Sequence, residues 1–143
     1  LTALNIKIIP LDNFPGMPVK YHEDDACFDV MATEERFLLP GRAYCSPLGF
    51  ALDIPPGYKA LLVPRSGLAR DYGLTIPNSP TQIDSGYKGE VHIILSVQKP
   101  FRMEWGNRIA QMYFEKVLPV TLELSTEIST ENDRGGGLGS SGV

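Results

Sequence analysis

The stretch Asn78-Ser79-Pro80-Thr81-Gln82-Ile83-Asp84-Ser85-Gly86-Tyr87-Lys88-Gly89-Glu90, with the run Val91 to Val97 behind it, decides the fold. Asn, Ser and Pro favour a tight bend, through local side-chain hydrogen bonds and a preset φ. In the run that follows, Val91, Ile93, Leu95 and Val97 fall on one face, and His92, Ile94 and Ser96 on the other. That period of two marks a half-buried strand. A hairpin arm followed by a buried strand holds Asp84 and Tyr87 at the mouth of a pocket, and fixed orientation is what a reacting group needs. The plainer alternative is a decorated hairpin loop whose Asp and Tyr only cap backbone groups. This stretch by itself leaves both readings open.

On either side the chain keeps the same rhythm. Short strands are expected at Leu4 to Ile9, Arg36 to Leu39, Leu48 to Ile54, Tyr58 to Val63 and Arg108 to Val117, with a last one over Leu118 to Leu124, broken by Pro119. Pro10, Pro40-Gly41, Pro55-Pro56-Gly57 and Pro100 close them. Strands about eight to twelve residues apart with turns between them predict an all-β sandwich or barrel. Pro64 to Arg70 breaks the pattern, and Ser66 as N-cap predicts one short helical turn.

A chain of 143 residues is one domain's worth, enough to bury roughly two thirds of its unfolded surface. Its 43% hydrophobic and 21% charged residues describe an ordinary soluble protein. A net charge of −4 supplies no basic field for long nucleic acid, but a small anion needs only a few arginines. No apolar run is long enough for a membrane span and no signal-peptide pattern opens the sequence, so a cytoplasmic location is expected. Cys27 and Cys45 are read as reduced thiols packed as small apolar groups, with a disulfide ranked low. His22 and His92 lack zinc-site spacing, so no metal cage built by the protein is expected.

Four features carry chemistry with open alternatives. Asp29, inside the apolar run Ala26 to Ala32, is either an acceptor for nearby backbone or part of a charged site, since a lone buried carboxylate is costly. Arg65, Ser66 and the free N–H groups of the next turn form either an anion cradle or a solvated surface turn. Gln111, flanked by Ile109 and Tyr113 on its face of the strand, either meets another subunit or binds ligand. The tail, Arg134-Gly135-Gly136-Gly137-Leu138-Gly139-Ser140-Ser141-Gly142, is either a flexible Gly/Ser terminus or a segment that wraps phosphate. Its formal G-x-G-x-x-G precedes no helix and carries no weight.

Together these pieces resemble the trimeric dUTP diphosphatase (dUTPase) family. Five segments appear in the family's order: Ala26 to Ala32, Pro64 to Ala69, Asn78 to Glu90, Gly106 to Met112 and Arg134 to Gly142. The resemblance implies a distorted jelly-roll or β-barrel over residues 1–124, with one short helix. Residues 125–143 would form a flexible Gly-rich arm that closes a neighbouring subunit's active site. It implies cleavage of dUTP to dUMP and diphosphate by water attack on the α-phosphorus, with Asp84 as base. Asn78 and the neighbouring backbone, Ile83 included, would read uracil, and Tyr87 would pack under deoxyribose and exclude a 2′-hydroxyl. Arg65, Ser66, Gly67 and Gln111 would hold phosphate, with Asp29 and Arg108 in support. Arg134, Leu138, Gly139, Ser140 and Ser141 would close over the nucleotide. Mg²⁺ would ride on the triphosphate, with no direct protein ligand and Asp29 reached only through water. A homotrimer with shared sites is the implied assembly, with neither nucleic acid nor membrane as partner.

The chain departs from the family pattern at four positions. Cys27 and Thr81 stand where glycine is usual, Gly86 where an acidic residue is usual, and Leu138 where an aromatic ring usually stacks on the base. Base–aromatic stacking is worth about 1–3 kcal/mol, so Leu138 bears on affinity and closure rather than on the chemical step. Competing readings are a dCTP deaminase-branch enzyme, which shares the Arg-Ser phosphate turn, and a catalytically silent nucleotide-binding β-barrel. The intact third and fifth segments disfavour the first, and a water-activating carboxylate is superfluous in the second.

Overall fold

Nine strands and one helix follow each other in the computed structural model, which describes residues 2–143. They are β1 (Lys7–Pro10), β2 (Phe28–Met31), β3 (Arg36–Leu38), β4 (Tyr44–Asp53), β5 (Tyr58–Val63), α1 (Ser66–Tyr72), β6 (Thr81–Asp84), β7 (Glu90–Leu95), β8 (Phe101–Met103) and β9 (Arg108–Lys116). They build three open antiparallel sheets, in the orders β1-β4-β7, β2-β9-β5-β6 and β3-β8. The fold is all-β, a distorted jelly-roll whose sheets do not close into a barrel.

The alternation that predicted β7 is the one that fills the core. Val91, Ile93, Leu95 and Val97 are all buried, whereas His92 is exposed. From the facing elements Phe50, Leu62, Met103 and Ile109 join them, each no more than 2% exposed. Full burial of such a side chain contributes about 1.5–3 kcal/mol, and this cluster is what ties the sheets together. In β4 the register with β7 slips between Pro47 and Ala51. Gly49 sits at that slip with φ +77°, and a Cβ there would lie 3.1 Å from the Phe14 Cα. Its N–H donates to Glu90 Oε2 and its carbonyl accepts from Leu11, so the irregular backbone is satisfied rather than orphaned.

Four local expectations need correction. Ser66 is not the helix cap: Arg65 holds that position in extended conformation (φ −88°, ψ 133°), and no side chain caps the helix start. The helix is fixed instead at its far end, where Gly73 is left-handed and the Gly73 and Leu74 N–H groups donate to the Ala69 and Leu68 carbonyls. The Asp84-to-Glu90 link is not a hairpin, because β6 pairs with β5 and β7 with β4, so it crosses from one sheet to another. No strand forms beyond Lys116 among the described residues. Leu118, Val120, Leu122 and Leu124 are 66–100% exposed, Pro119 offers no N–H, and the segment pairs with none of the open sheet edges among the described residues. Nor is Cys45 packed as a small apolar group: it is exposed, while Cys27 is half-buried, and both are free thiols. No helix among the described residues is long and apolar enough to cross a membrane.

Candidate functional site

Strand register explains why three distant segments meet. Asp29 on β2 lies opposite Gln111 on β9, and Gln111 lies opposite Val63 on β5, two residues before Arg65. The Asp29 carboxylate is buried, 6% exposed, and its Oδ1 faces Gln111 Nε2 at 3.5 Å and Arg65 Nε at 3.6 Å. The two alternatives for Asp29 thus resolve in favour of a charged cluster, in which Arg65 compensates the desolvated carboxylate. Arg65 Nη1 also donates to the Arg108 carbonyl (2.9 Å), fixing the guanidinium between two strands.

Beside this cluster a cavity of about 290 Å³ is lined by Tyr21, Asp25, Cys27, Asp29 and Gln111. The Arg108 guanidinium stacks on Tyr21, 4.6 Å from the ring centroid. Burial pushes the Cys27 thiol up, the Asp29 carboxylate pushes it further, and Lys20 opposes both more weakly. A thiol raised in this way stays protonated near neutral pH and is no nucleophile. Tyr21 was invisible to sequence reading, because it sits in an acidic bend with no periodicity. Ser66 and Gly67 open α1, both exposed, and nothing lies within 4 Å of where a Gly67 Cβ would be.

A second group gathers around β6. The strand's burial alternates, with Ile83 in the core and Gln82 and Asp84 outward, so core packing aims the carboxylate away from the protein. The Asp84 carbonyl accepts from Tyr87 N–H (3.1 Å), which turns the chain back at once. Tyr87 Oη donates to the Glu90 carbonyl, and a Cβ on Gly89 would stand 2.9 Å from the Tyr87 Oη. The ring therefore lies against Gly89, held at both ends and 47% exposed. Asp84, Tyr87, Thr81 and His92 line one cavity of about 260 Å³. Asn78, on the bend before β6, accepts at Oδ1 from Thr81 Oγ1 (3.2 Å).

These two groups do not converge within one chain. Asp84 is registered with Lys59, which faces Glu115, whereas Gln111 lies four residues further along β9. At about 3.3 Å per residue that is about 13 Å along the strands, with two strand spacings of about 4.8 Å across. The tail joins neither group. Arg134, Leu138, Gly139, Ser140 and Ser141 are exposed and, among the described residues, the tail makes only local hydrogen bonds such as Ser140 N–H to Gly137 O.

The dUTPase family profile matches residues 15–142. The chain belongs to the dUTPase family. Deoxyuridine 5'-triphosphate nucleotidohydrolases of Rickettsia typhi (40% identity, all of both chains) and Clostridium acetobutylicum (38%, 98% of each) are among its relatives. Among solved structures it resembles the dUTPase of Staphylococcus bacteriophage 80alpha with dUPNHPP, at 27% identity and TM-score 0.87 over 99% of this chain and all of that one. The fold is also that of the dUTPase from phage phi11 of S. aureus, at 21% identity and TM-score 0.79 over 89% of this chain and all of that one. That structure concerns coordination of a structural Mg(II) ion. Nothing lies within 4 Å of where a Gly86 Cβ would be, and Cys27 is a half-buried free thiol.

Proposed function

We propose that this protein hydrolyses dUTP to dUMP and diphosphate, a reaction carried out between subunits of a homotrimer. The observation that carries the reading is the outward carboxylate of Asp84 beside the pinned ring of Tyr87, in a chain that matches the dUTPase family over nearly its whole length. Asp84 takes a proton from water as the water oxygen bonds to the α-phosphorus and the bond to the bridging β-phosphate oxygen breaks, releasing diphosphate. Tyr87 presents a flat face on which deoxyribose packs and a 2′-hydroxyl does not fit. Asn78 pairs with the uracil edge, with the Ile83 backbone beside it. Arg65, Ser66, Gly67 and Gln111 bind phosphate oxygens, and Asp29 and Arg108 hold Arg65 in place. Arg134, Leu138, Gly139, Ser140 and Ser141 close over the nucleotide as part of the arm 125–143, and residues 1–124 form the hydrolytic domain. The cytoplasm suits an exposed free thiol such as Cys45.

Mg²⁺ carried on the triphosphate would supply charge neutralisation for the displacement. Asp29, engaged by Arg65, would reach such an ion only through water. Incubation with dUTP and Mg²⁺ should release diphosphate and dUMP in equal amounts, and chelation should abolish turnover. Ammonia release from dCTP in place of diphosphate from dUTP would overturn the assignment.

The offset of about 13 Å along the strands between the half-sites supports the trimer, because one triphosphate cannot have its α-phosphorus at Asp84 and its oxygens on the same chain's Gln111 cluster. So does the apolar row of Leu118, Val120, Leu122 and Leu124, spaced as one face of a strand yet exposed in a single chain. An apolar cavity of about 240 Å³, lined in part by Ile6, Ile8, Phe28 and Phe114, lies between edge strands β1 and β2 and matches such a face. Light scattering should give three chain masses for the wild type. Leu122→Asp combined with Leu124→Asp removes no intrachain contact and should yield monomers with dUTP turnover reduced at least about a hundredfold. Fully active monomers would refute shared sites.

A further inference from the structure

We infer that Thr81 is a positioning residue that sets the base preference of the nucleotide pocket by fixing the Asn78 amide, an inference that rests on the proposed role of Asn78 in reading the base. Thr81 Oγ1 donates to Asn78 Oδ1 at 3.2 Å. A side-chain amide has an acceptor end and a donor end, and an unrestrained one presents either by turning about its last torsion. With Oδ1 occupied by a hydroxyl proton, the Nδ2–H₂ end is what Asn78 offers to a ligand. A donor matches a ring carbonyl, as at position 4 of uracil. The 4-amino group of cytosine would meet it donor against donor.

Thr81 is well placed to enforce this. It is the first residue of β6 and is registered with buried Leu62, so its backbone is held by the sheet. Its side chain is half-buried, and χ1 of a β-branched residue is stiff. Gln82 Nε2 donates to the Pro80 carbonyl (3.0 Å), tying the bend from the other side. The lock depends on the hydroxyl of residue 81 itself, which a glycine at this position would lack.

The test compares kcat and KM for dUTP and dCTP in the wild type, Thr81→Val and Thr81→Ser. Valine keeps the shape and removes the donor; serine restores it. The dUTP-over-dCTP ratio of kcat/KM should fall about tenfold in Thr81→Val, the effect of one lost orienting hydrogen bond, chiefly through KM for dUTP. Serine should recover most of the ratio, and Thr81→Val should add nothing in an Asn78→Ala background. An unchanged ratio in Thr81→Val, or a loss that serine does not repair, overturns the inference. Should Thr81→Val fold poorly, Thr81→Ala carries the same expectation. An Asn78→Ala ratio equal to that of the wild type would instead refute the base-reading role of Asn78.

Discussion

Asp84→Asn should lose dUTP turnover by at least about a thousandfold while still binding a non-hydrolysable dUTP analogue. The substitution keeps size and shape, and removes the ability to accept a proton from water. Stability should hardly change, because Asp84 is exposed and its ordering contact, the Tyr87 N–H, goes to the backbone carbonyl rather than to the carboxylate. Calorimetry with the analogue and a single-turnover assay separate the two effects. Asp84→Glu is the sharper companion. Ile83 in the core sets where the strand ends, so one added methylene displaces the carboxylate by about an ångström with no compensating backbone shift. A misplacement of that size costs about a hundredfold. Turnover of Asp84→Asn within tenfold of the wild type would remove Asp84 as the base. Loss of analogue binding in step with turnover would make it a binding residue.

Register is the part of this site that a sequence hides. The alternation of Val91 to Val97 was legible because a half-buried strand writes its burial into every second residue. The breaks at Pro10, Pro40-Gly41 and Pro55-Pro56-Gly57 were legible for a related reason, since proline removes a ladder donor. Nothing local, however, says that Asp29 faces Gln111 or that β6 chooses β5 over β7, because pairing partners are chosen by the whole core. The same gap explains the Leu118 to Leu124 error: the pattern reads as a strand, and only the sheet order reveals that a single chain has no edge paired with it. Ser66 misled for the opposite reason, as a good N-cap residue overruled by the preceding Arg65, already extended at the helix start. Asp29, Arg65 and Gln111 could each be nominated from sequence, but their convergence on a single carboxylate oxygen required the fold.

Deleting residues 134–143 should cost about a hundredfold or more in dUTP turnover and almost nothing in melting temperature. The stability half follows from the contacts: among the described residues these ten form no hydrogen bond or ion pair outside 133–143, and Leu138 is fully exposed. Their removal uncovers no core. The activity half follows from the closing role proposed for the arm, which is to exclude water and hold the phosphates. On the proposed closing role of the arm, Leu138→Trp adds a ring that can stack on the base and should lower KM for dUTP with kcat nearly unchanged. The deletion also reports which chain the arm serves. If the protein is the proposed homotrimer, co-expression of Asp84→Asn chains with chains ending at residue 133 should yield mixed trimers from two inactive parents. If an arm closes a neighbour's pocket, some mixed sites pair an intact Asp84 with an intact arm, and activity returns well above either parent. If each arm folds back on its own chain, every site lacks one or the other and the mixture stays as inactive as its components. Recovery after co-expression, with none on simple mixing of pre-formed trimers, is the expected outcome; no recovery in purified mixed trimers would assign the arm to its own chain and leave the 13 Å offset between Asp84 and Gln111 to be bridged some other way.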